Sequence, residues 1–164
     1  AVCGDHRFAL KPAETLVILS APPGPETLSA GMRRVAPDRV AVVALDNALD
    51  TPKAFLPYLM GLVKHVLNRR EGSVRIPEVA AVMGQREPAI RAGLAFLAAR
   101  GVITILEDGE TLLQVEAGGR GDAEAASRAG STLTQILHDT AAYRRAFARL
   151  ADTQLLMRLQ APDD

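Results

Sequence analysis

Three histidines, His6, His65 and His138, and one cysteine, Cys3, are the residues best suited to hold a metal or attack a substrate. Metal ligation needs such groups at short fixed spacing or converging from several elements, and neither His-x-x-x-His nor Cys-x-x-Cys occurs. Asp5-His6 is one adjacent pair where a catalytic metal centre needs several. Cys3 has no neighbouring histidine or helix N-terminus to lower its pKa, and no serine stands in a Gly-x-Ser-x-Gly elbow. The chemistry-bearing residues therefore argue against an enzyme in this chain, with no catalytic residue and no cofactor of its own.

What remains are charges and apolar faces. Lys plus Arg and Asp plus Glu both count 19 over 164 residues, so no global field draws a polyanion and any nucleic-acid contact must be local. A single cysteine allows no internal disulfide, which fits a reducing compartment. Without a signal-like leader or a bilayer-length apolar run, the chain reads as soluble, cytoplasmic and free of membrane contact. It opens on Ala1 directly into apparent strand, which reads as a piece of a longer protein.

The elements that would position a site centre on Gly72 to Glu116. Its order is short strand, helix, turn, second helix and two strands joined at Asp108-Gly109, which predicts a winged helix. Gly84 ends the first helix, Pro88 sits in the first turn of the next, and Gly101 stops it. Ile90, Leu94 and Leu97 give the second helix one apolar face, while the Asp-Gly pair marks a hairpin, the wing. A duplex-reading helix would carry Arg, Lys, Asn or Gln along its open side. Here that side offers Arg91 among Ala92, Ala95 and Ala99, and the wing tip is acidic, which favours protein docking over sequence-specific reading. Arg86, Arg91, Lys64, Arg69 and Arg70 are the candidate DNA contacts.

Upstream, residues 2 to 10 read as a short strand. Thr15–Leu19 and Arg39–Leu45 are continuous apolar runs that predict buried parallel strands, joined through a helix over Glu26–Val35 in a right-handed crossover unit. The loop SAPPGPET has three prolines and one glycine, a poor phosphate cradle. Pro52–Arg70 is read as the longest helix, striped by Leu56, Leu59, Met60, Val63, Val66 and Leu67. After the wing, residues 117–131 are small, polar and glycine-rich and predict a loop or frayed helix. Helical spacing resumes from Ser131 to Leu150, and Thr153–Gln160 fits helix or strand. The expected architecture is α/β (α+β). Residues 1–50 form a small strand-helix-strand subdomain, 51–116 a winged-helix unit, and 117–164 a loop with C-terminal helices packing back on both.

This order, carried by LVILSAPPGPETL, RVAVVAL, FLPYLMGLVKHVL, AAVMGQREPAIRAGLAFLAARGVITI and TLTQILHDTAAYRRAF, resembles the C-terminal domain of long-form bacterial RecJ, the single-strand-specific 5′ to 3′ DNA exonucleases of repair and recombination. The resemblance covers most of the chain. The family's DHH motifs have no counterpart here, so the divalent metal, Mn or Mg, belongs to a nuclease core outside this sequence. The resemblance implies a non-catalytic accessory domain that contacts that core. It would bind the C-terminal tail of the single-stranded DNA-binding protein or a repair helicase; the zero net charge and the alanine-rich second helix lead separately to an expectation of only weak DNA binding. That tail is acidic and ends in an aromatic residue with a free carboxylate, so its receptor needs an apolar pocket rimmed by cations. Two surfaces qualify: Arg33 and Arg34, with Arg39 nearby, and the helix face of Tyr143, Arg144, Arg145, Phe147 and Arg149, slightly preferred. The alternative reading is a winged-helix DNA-binding domain, as in a transcriptional regulator or duplex-contact module.

Overall fold

The computed structural model describes residues 10–45 and 48–150. Cys3, Asp5, His6, most of the strand expected over residues 2 to 10, and the tail Thr153–Gln160 lie outside them. The described chain is mixed α/β, with five helices and two small sheets. It forms two compact units, one of Ala1–Asn47 with Thr140–Asp164 and the other of Ala48–Asp139. The stretch expected to form one C-terminal segment is thus shared, residues up to Asp139 joining the second unit and those from Thr140 the first.

In the first unit β1 (Thr15–Ser20) pairs in parallel with β2 (Arg39–Leu45) across α1 (Pro25–Val35). Pro25 starts α1 with φ already fixed and Glu26 complements its dipole; Arg33 and Arg34 occupy the last turn. Alternation turns Leu16, Ile18, Val40 and Val42 to one side. Ile18 and Val42 pack there on a small core of Ala21, Leu28 and Phe147, with Met32 and Tyr143 beside it. The opposite side was expected to be buried too, and it is not. Val17, Leu19, Val43 and Leu45 are each more than half exposed, because among the described residues the helices supply a cover for one face of the sheet only. An apolar run does not say how many faces are covered.

The second unit begins with α2 (Pro52–Arg69), whose first turn is capped by the Thr51 hydroxyl accepting from Ala54 N. Phe55, Leu59, Val63 and Val66 make its buried stripe. Phe55, absent from the sequence stripe, is fully buried. β3 (Ser73–Arg75), α3 (Ile76–Met83) and α4 (Glu87–Ala99) follow, then β4 (Ile103–Asp108) and β5 (Leu112–Ala117). The three strands form an antiparallel sheet in the order β3-β5-β4. Gly84 takes the left-handed conformation that ends α3, φ 58°. In α4 a glycine, Gly93, stands where a Cβ would lie 2.6 Å from Leu59 Cδ2 and 2.7 Å from Phe55 Cε1. Its missing side chain is what lets α4 lie against α2.

The hairpin differs in detail from its signature. β4 continues through Glu107 and Asp108, and an irregularity between Ile105 and Glu107 shifts the register so that Asp108 pairs with Leu113. Gly109 is not at positive φ. It is small for another reason: an added Cβ would sit 2.7 Å from the Leu112 carbonyl oxygen, which accepts the Gly109 N–H.

The largest departure is α5, Ala123–Leu150, which at 28 residues is longer than the 18 of α2. The glycine-rich stretch, expected as a loop or frayed helix, is helical from Ala123, because Asp122 Oδ1 accepts the Ala125 N–H at 3.0 Å and caps the first turn. Ala126 is buried, and the Phe96 ring lies at ordinary van der Waals distance, 3.4 Å, from where a Cβ on Gly130 would be. Leu133 and Leu137 then enter the main core.

Candidate interaction surfaces

α4 is the helix that the sequence offered as a reading helix, and little of it is open. Ala89, Ile90, Ala92, Gly93, Leu94 and Leu97 are buried, and Pro88 and Ala95 are its exposed residues. Arg91 is bound to the hairpin tip: Nη1 donates to Asp108 Oδ1 at 2.6 Å, and Nη2 to the carbonyls of Gly109, at 2.6 Å, and Glu110. The acidic hairpin tip is therefore what engages Arg91. Arg86, half-buried, donates through Nη2 to the Ile136 carbonyl at 3.2 Å. Gln85, fully buried in the turn before α4, donates through Nε2 to Leu49 O and Asp50 Oδ1. That bond ties the α3–α4 turn to the segment leading into α2.

The cations at the end of α2 divide. Arg70 and Arg75 both pair with Glu78, at 3.0 and 3.8 Å. Lys64 and Arg69 are exposed, and neither has an ion pair or side-chain hydrogen bond among the described residues.

The aromatic-arginine face of α5 is distributed differently from its helical spacing. Phe147 is 3% exposed and stacks on Tyr143 at a centroid distance of 6.3 Å within the small core. Arg144 is buried, and its Nε donates to the Ala21 carbonyl at 3.1 Å, holding the loop before α1. Burial, with Glu26 nearby, pushes the Tyr143 phenol above its ordinary value. Arg145 and Arg149 alone of this group are exposed. The aromatic half of the expected receptor is thus used for packing. Arg33 and Arg34 are exposed on α1.

Sequence reasoning missed the outer face of the first sheet. Val17, Leu19 and Val43 share it by alternation, Leu45 is exposed beyond the strand irregularity, and Arg39 starts the same face, 3.6 Å from Glu14. The signal was present in the strand runs, but only a view of what covers them separates core from surface. A shallow, mostly apolar groove of about 560 Å³ also lies in the second unit, lined by Leu56, Phe96 and Leu133.

The chain matches no protein-family model, no curated protein and no solved structure. Its surfaces must therefore be read on their own chemistry. Among the described residues no three His, Cys, Asp or Glu side chains come together as a metal would need, and no helix is long and apolar enough to cross a membrane. His65 and His138 lie on separate helices, the latter 3.8 Å from Asp139.

Proposed function

We propose that this chain is a non-catalytic partner-binding domain, an accessory C-terminal part of a RecJ-like 5′ to 3′ single-strand-specific exonuclease of DNA repair and recombination. In this reading residues 48–139 are a winged helix used as a scaffold. The observation that carries it is the closure of α4: its apolar side is packed and its one outward arginine is occupied by the wing. A helix in that state offers neither phosphate ligands nor bidentate base contacts. The four exposed apolar side chains of the β1–β2 sheet, with Arg39 at one end, supply what a protein partner uses instead, apolar area beside a cation. An acidic tail ending in an aromatic residue, such as that of the single-stranded DNA-binding protein, has the matching chemistry; a repair helicase is the second partner the resemblance suggests. The metal-dependent nuclease chemistry belongs to a core outside this sequence, and the cytoplasm is the compartment that fits.

Fluorescence anisotropy with labelled duplex DNA at physiological salt separates this from the DNA-reading alternative. The expected result is weak binding, Kd above about 1 μM, without sequence preference and changed less than about twofold by Arg91→Ala. A sequence-specific nanomolar complex lost on Arg91→Ala would establish the alternative.

A further inference from the structure

α2 reads PKAFLPYLMGLVKHVLNR, 18 residues without a single Asp or Glu. Its apolar stripe turns inward, so its polar residues fall on the other side. Lys53, Pro57, Gly61, Lys64 and Asn68 follow one another at spacings of three and four, with Tyr58, His65 and Arg69 along one flank. All eight are exposed. Among the described residues, none of the polar side chains in this row has an ion pair or side-chain hydrogen bond to another part of the chain. By contrast the neighbouring Arg70 and Arg75 share an ion-pair partner, Glu78. Gly61 leaves the middle of the row low: a Cβ built there meets nothing within 4 Å.

We propose that this face of α2 is a binding track for single-stranded nucleic acid. Lys53, Lys64 and Arg69 would take successive phosphates. Tyr58, 46% exposed, and His65 would stack on bases, being one aromatic and one imidazole ring seven residues apart, about 10 Å along the axis. That requirement selects the ligand. A duplex keeps its base faces stacked inside and would use only the cations. An acidic peptide needs an apolar pocket, and the leucines and valines of α2 point the other way. The inference does not rest on the partner-binding reading above, since it concerns a different element and a different ligand.

The test is anisotropy of the full 164-residue chain with 5′-fluorescein-labelled oligothymidylate, about twelve nucleotides long, across salt concentrations. Three phosphate contacts predict a slope of log K against log salt of about −2. Lys64→Glu with Arg69→Glu should weaken binding by about tenfold or more. Tyr58→Ala should weaken it about fivefold or more, while Tyr58→Phe retains it because the ring does the stacking. Arg145→Ala with Arg149→Ala should leave it within twofold. An oligouridylate arm reports whether RNA or DNA is preferred, binding of either supporting the track. Three results would overturn the proposal. They are no binding at low salt, indifference to the Lys64/Arg69 pair, and polyglutamate binding as tightly as oligothymidylate with Tyr58→Ala without effect. Because the substituted side chains are exposed, Lys64→Gln with Arg69→Gln should act in the same direction with an unchanged circular dichroism spectrum.

Discussion

Phe55→Ala should lower the unfolding free energy of the 48–139 unit by about 3–5 kcal/mol, read from urea denaturation followed by circular dichroism. The ring is fully buried, and its Cε1 edge lies against the bare backbone of Gly93. Truncation therefore opens a cavity facing a residue that has no side chain to fill it, and the loss falls at the high end for its kind. The contact can be checked by coupling. In the native chain Gly93→Ala drives a methyl into Phe55 and Leu59, and overpacking of this type costs about 1–3 kcal/mol against a helix-propensity gain of about 1 kcal/mol. In the Phe55→Ala background the same methyl enters vacated space. Gly93→Ala should then be neutral or stabilising, a non-additivity of about 1 kcal/mol or more. Simple addition of the two single losses would mean that the α2–α4 contact is not organised around this ring.

Gly72→Ala should cost roughly 2–5 kcal/mol by the same assay, summing left-handed strain with displacement of a packed backbone. Gly72 has φ 79°. Any Cβ there runs into the carbonyl oxygen of Val115, whose own N–H donates to Gly72 O at 2.9 Å. Because the obstacle is main chain, no side-chain rotation relieves it; β3 must separate from β5. Val74, which pairs with Leu113 in that ladder, is 1% exposed and would lose its place in the core. A cost below about 1 kcal/mol would mean that the close approach of Gly72 to Val115 does not hold β3 in place.

Much of this arrangement was legible in the chain. Gly84, Pro88 and Gly101 mark the boundaries of α3 and α4 because each has a backbone reason to be where it is, and such reasons are local. The two apolar runs give β1 and β2 for the same reason. Failures came where a residue's meaning depends on what lies opposite it. Ala126 and Gly130 looked like loop or frayed-helix composition because the Phe96 ring beside Gly130 is some thirty residues away in sequence. Arg144 looked like a surface cation because nothing local announces that the Ala21 carbonyl awaits it. Val17 and Val43 looked like core because continuous hydrophobicity does not record whether a second layer exists. Of the candidate site, the helix faces were readable and their covered or open state was not.

On the proposed function, a protein partner and not a duplex binds this chain, on the unit containing β1 and β2. Titration of the isotopically labelled chain with a short acidic peptide ending in an aromatic residue and a free carboxylate, followed by residue-resolved NMR, tests it most directly. The predicted result is saturable shifts at Val17, Leu19, Val43 and Arg39, weakened by salt and removed by Val43→Asp, with α4 unperturbed. Absence of any saturable shift at millimolar peptide, or shifts confined to α4 and the hairpin tip, would contradict it.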